Sequence, residues 1–111
     1  MKRIFHPGGS VITGSDLADA VLVYAEALSH RRQVDVVDIP VVGEDGLPGR
    51  AQFLIGAASQ LVSVTAEPGS SELRVPATAD LLHRKARNHT PLTTAWLSDE
   101  LESPQFDEFD Y

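Results

Sequence analysis

Residues 34–56, VDVVDIPVVGEDGLPGRAQFLIG, place two apolar runs on either side of a turn, and the reading of these runs decides the fold. VDVVDIPVV (34–42) is rich in β-branched side chains and reads as a strand. GEDGLPG (43–49) contains Asp45-Gly46, a pair that tolerates the tight backbone of a turn. In RAQFLIG (50–56), Ala51, Phe53 and Ile55 share one parity. LVSVTAE (61–67) repeats the pattern, with Val62, Val64 and Ala66 set against Ser63, Thr65 and Glu67. Period-two alternation of this kind predicts a three-stranded antiparallel meander with one face toward the core and one toward water. Asp35 and Asp38 have opposite parity, which predicts a bulge or twist between them, and Pro40 pushes its strand toward an edge or an end.

Working outward, residues 16–32 carry Leu17, Val21, Tyr24 and Leu28 on one helical stripe, widened by Ala18, Ala20, Ala25 and Ala27. Thr13 or Ser15 is the expected cap, Asp16 and Asp19 suit the positive end of the helix dipole, and His30, Arg31 and Arg32 suit the negative end. Residues 76–88 read as a second helix with Thr78 as cap, Leu81, Leu82 and Ala86 as its apolar side, and Pro91 just past its end. KRIFH (2–6) reads as a short strand, which Val11–Thr13 either extends or follows as a second strand. The expected architecture is therefore a two-layer α+β domain over 1–89. It has a mostly antiparallel sheet of three to four strands in the order (β)-α-β-β-β-α, both helices on one face, and an extended arm over 90–111.

The arm is where the charge lies. The chain carries a net charge of -7, and Asp99, Glu100, Glu102, Asp107, Glu108 and Asp110 all fall near its end, with no Lys or Arg after Arg87. Without them the sixteen acids fall to ten against nine bases, so the body is nearly neutral. Trp96, Phe106, Phe109 and Tyr111 are four of the seven aromatic residues, a content that a purely solvating tail lacks. These rings are expected to anchor the arm on its own domain or on a second subunit.

Several chemistries find no support. With no cysteine there is no disulfide, thiol nucleophile or thiolate metal site, and a reducing, cytoplasmic setting is the default expectation. No stretch approaches a membrane span or a signal-peptide core. HPGGSVITGSD (6–16) has the two-glycine spacing of a phosphate loop, but Ser15 and Asp16 stand where the mechanism needs a Lys and then a hydroxyl. It reads as a turn feeding a capped helix. His6, His30, His83 and His89 lack the four-residue spacing of paired ligands on one helix, so no metal is expected. No nucleophile elbow is present, and Asp35 with Asp38 is the one local candidate for an acid/base pair. No catalytic residue or cofactor is assigned, and an enzyme is the third-ranked expectation.

Helix 15–32, the three strands and helix 77–88 follow an α-β-β-β-α order that resembles the double-stranded RNA-binding domain over about 75 residues. Gly46, Pro48 and Phe53 match by type that family's glycine-proline loop ahead of a strand phenylalanine, and Arg84, Lys85 and Arg87 resemble its basic second helix. The resemblance implies an anion or nucleic-acid surface built from Arg31, Arg32, Arg84, Lys85 and Arg87. Phosphate neutralisation needs positive charge, which a body near -1 supplies poorly, so this stands as the alternative. The leading expectation is a non-catalytic interaction or self-association module, its partner itself or another protein, in which the arm makes the principal contact.

Overall fold

The computed structural model describes residues 1–57, 60–66 and 72–100, with side chains through residue 88. The order is β1 (Lys2–His6), β2 (Gly9–Thr13), α1 (Ser15–His30), β3 (Val34–Val42), β4 (Pro48–Gly56), β5 (Val62–Thr65) and α2 (Pro76–Glu100). The strands form one antiparallel sheet in the order β4-β3-β2-β1-β5. Both helices cover one side of it, as expected of an α+β domain. Within the described residues no helix is long and apolar enough to cross a membrane.

The hydrophobic stripe of α1 does what its spacing predicts. Leu17, Val21, Tyr24 and Leu28, with Ala18 and Ala20, are fully buried against Ile4, Val37, Ile39 and Ile55 of the sheet. Beside α1, α2 runs in the same direction. Arg74, just ahead of α2, pairs with Asp16 at 3.5 Å at one end, and at the other Arg31 Nη2 donates to the Ala86 carbonyl at 3.1 Å. The buried stripe of α2 holds Leu82 and Ala86 as expected, with Ala79 in place of Leu81, which is turned to solvent. α2 opens at Pro76 as expected, in the first-turn position where a missing N–H costs nothing, so Thr78 lies inside the first turn and is not its cap. The helix also runs on through Pro91 to Glu100, past the end expected for it. A proline inside a helix gives up one hydrogen bond to the preceding turn and crowds the carbonyl there. Residues 101–111, with Phe106, Phe109 and Tyr111, lie outside the described residues.

The sheet departs from the expected meander. Among the described residues there are five strands, because β1 and β2 form a hairpin of their own, and β5 does not return beside β4. It crosses to the opposite edge and pairs with β1, Phe5 facing Val62 and Ile4 facing Ser63. The resemblance to the RNA-binding domain therefore holds for element order and fails for strand neighbours. Nor is there a bulge in β3, whose register with β4 runs unbroken from Val34↔Gly56 to Val42↔Pro48. Asp35 and Asp38 differ in parity because each has its own partners on its own side of the sheet. Pro40 lies in an interior strand, yet its carbonyl accepts from Thr13 Oγ1 at 2.7 Å on the β2 side, so its missing N–H also points away from β4 and costs that ladder nothing. His6 stacks on Phe53 with ring centroids 5.0 Å apart, so the tip of the β1–β2 hairpin curls toward β4.

Candidate interaction surface

The polar groups on the helix side are committed to holding the layers together. Gly14 is the N-cap of α1 and offers no side chain, and neither Thr13 nor Ser15 caps it. Glu72 does so from far along the chain: its carboxylate accepts the Ser15 N–H and the Met1 ammonium, the latter at 2.7 Å. The ammonium and the helix N–H hold the Glu72 carboxyl down at about 2. The glycine run thus leads to a helix start occupied by the protein's own carboxylate. Gly14 is needed there because a Cβ would fall 1.8 Å from the Leu73 carbonyl oxygen.

A second anchor joins the far end of the helix layer to β3. The Tyr24 hydroxyl donates to Asp35 Oδ2, Lys85 Nζ sits 3.0 Å from the same oxygen, and the ammonium lies 5.3 Å from the Tyr24 ring centre. The Tyr24 hydrogen bond, with Lys85 behind it, lowers the Asp35 pKa, while burial and the neighbouring carboxylate raise that of Tyr24. Asp38 lies on the outer side, held by Arg50 Nε at 2.8 Å and Gln52 Nε2 at 3.1 Å. The two aspartates are thus on opposite faces and do not form an acid/base pair.

Of the basic residues, Lys85 is spent on Asp35, and Arg31 donates to the Ala27 and Ala86 carbonyls across the helix ends. Arg31 and Arg87 meet in a cleft of about 590 Å³ between the helices, beside His30 and Glu26. Arg32, at a left-handed φ of 56°, and Arg84 are exposed outside it. The expected cluster is therefore divided, with two of its five cations holding the fold together. Trp96 falls within α2, in the part whose side chains are not described.

The outer face of the sheet shows what sequence reasoning missed. Val34 and Val36 of β3 are 53% and 54% exposed, and Leu54, directly opposite Val36, is 54% exposed. At the other edge Phe5, Val62 and Val64 are likewise open to solvent. The inward alternate of β5 is Ser63, whose hydroxyl is buried without a hydrogen-bond partner among the described residues. The alternation expected of β5 is inverted, because Ile4 of β1 faces the core and Ser63 stands opposite it. One signal was present in the sequence: Val34, Val36 and Val37 give β3 apolar residues on both parities, the mark of a strand covered on both sides. Two apolar patches result, each with an arginine nearby, Arg3 opposite Val64 in one and Arg50 four residues from Leu54 on the same face of β4 in the other.

Comparison with known proteins gives no relative: no family model, no curated protein and no solved structure matches the chain.

Proposed function

We propose that this protein is a non-catalytic interaction module that associates with itself, its acidic aromatic C-terminal segment docking on the outer face of the sheet. The observation that supports this reading is the set of large apolar side chains, Phe5, Val34, Val36, Leu54, Val62 and Val64, left exposed on the side opposite the helices. Apolar patches rimmed by charge are the ordinary form of a protein-binding surface. Residues 101–111 have matching chemistry: Phe106, Phe109 and Tyr111 supply rings, and the acids between them suit Arg3. The segment reaches this face from its own chain or from a second copy.

Light scattering on the full chain, beside a full chain carrying Phe106→Ser, Phe109→Ser and Tyr111→Ser, tests the reading. Loss of dimer mass places the segment across the subunits, and a lower melting temperature at unchanged mass places it on its own domain. Unchanged mass and melting would overturn the role of the arm. Arg32, Arg84 and Arg87 favour the alternative of an anion surface, which duplex RNA titrated at two salt concentrations decides: salt-sensitive binding supports it and its absence removes it.

A further inference from the structure

From the geometry of β4 we infer that the second copy joins edge to edge, β4 against β4 in antiparallel register, so that the two sheets become one across a twofold axis. This rests on the self-association reading and goes on to name its interface. β4 lies at one edge of the sheet and, among the described residues, pairs only with β3. The direction of its backbone groups follows from Pro40. The Pro40 carbonyl is taken by Thr13 on the β2 side, so Pro40 and Arg50 form a pair whose backbone groups point away from each other. Alternation then turns the N–H and C=O groups of Arg50, Gln52 and Leu54 outward, toward the open side.

Natural edges are usually blunted by bulges, inward-pointing charge, short length or prolines. β4 has nine residues in unbroken register, no inward charge, and a proline only at its first position, Pro48. Its one charged side chain, Arg50, is already balanced by Asp38 at 2.8 Å, so two copies meet without unbalanced charge. A twofold near Gln52 sets the stem of Arg50 beside Leu54 on the outer face, and Ala51 beside the half-buried Phe53 on the inner face, small against large in each case. The exposed Val36 and Leu54 lie next to this seam, so the patch becomes continuous with it. A second copy fits this edge better than residues 101–111, where Pro104 and four acids make a poor strand.

The test is Gln52→Pro in the full chain. Position 52 has the outward parity of Pro48, so the ladder to β3 keeps its bonds while the open edge loses a donor and gains a blocking ring. The expected result is a far-ultraviolet spectrum like that of the parent and self-association weakened by roughly tenfold or more. A parent that is dimeric and a Gln52→Pro chain that is equally dimeric overturn the edge pairing and leave self-association standing. A parent that stays monomeric at high concentration overturns both. If Gln52→Pro does not fold, amide hydrogen exchange on the parent decides: protection of Arg50, Gln52 and Leu54 that rises with protein concentration supports the edge pairing, and protection that stays flat overturns it.

Discussion

The two sides of β3 differ in fate while sharing a composition. Val37, Ile39 and Val41 are 2%, 0% and 9% exposed, whereas Val34 and Val36, of the same chemistry, stand more than half open. At β5 the contrast is reversed, with a hydroxyl buried and two valines outside. The difference teaches that residue type does not choose the face in this sheet. The helix layer covers whichever parity is presented to it, and the register passed from strand to strand fixes that parity.

The largest break in this contrast is expected at Ile39. Ile39→Ala empties a site packed by α1 and costs about 2–5 kcal/mol, read from denaturant midpoints, while Val36→Ser on the outer side stays within about 0.5 kcal/mol for the monomer. Equal losses at the two positions would mean that the outer face is covered within its own domain. Next comes Gly14→Ala, where the Leu73 carbonyl must move and draw Glu72 off the helix start, at a cost of about 1–3 kcal/mol. A chain of this size then melts lower by about 4–8 °C for each kcal/mol lost.

Acid titration sharpens the same point at the helix anchor. Glu72 is held at about 2 against an ordinary 4.5, so its contribution is complete above pH 4.5 and is lost as pH falls through that value toward 2. Glu72→Gln should flatten the melting temperature in that window. At the alkaline side Tyr24, raised above its ordinary 10.0, keeps its contribution up to about pH 10 and loses it as the pH climbs further. Tyr24→Phe should remove that alkaline loss. The smallest effect is expected at β5, where Ser63→Ala removes a buried hydroxyl that has no partner among the described residues and stabilises by about 1 kcal/mol, measured by denaturant midpoint. A loss of stability there would show that the hydroxyl has a partner after all.

How much was legible follows from the range of each interaction. The α1 stripe and the span of β3 could be read because each depends on periodicity within one segment. The cap of α1 could not, since Glu72 lies 57 residues from Ser15 and nothing local announces it. The five basic residues looked like one cluster because they crowd two helix ends, and Asp35, placed by a strand register, took Lys85 out of it. The apolar outer face was hidden by an assumption that holds for most sheets, that the polar parity is the wet one.

By itself, the sequence determined the elements and their local manners: an alternating strand, a turn at Asp45-Gly46, a helix with one buried stripe, and a C-terminal end rich in rings and carboxylates. Tertiary structure alone decided that β5 crosses to the far edge, that Glu72 caps a distant helix, and that β4 is left with its backbone open. The physical reason is one of reach. Backbone preference and hydrophobic period act over a few residues, whereas strand order, register and layer contact are settled by which distant surfaces bury each other, a choice that no single segment contains.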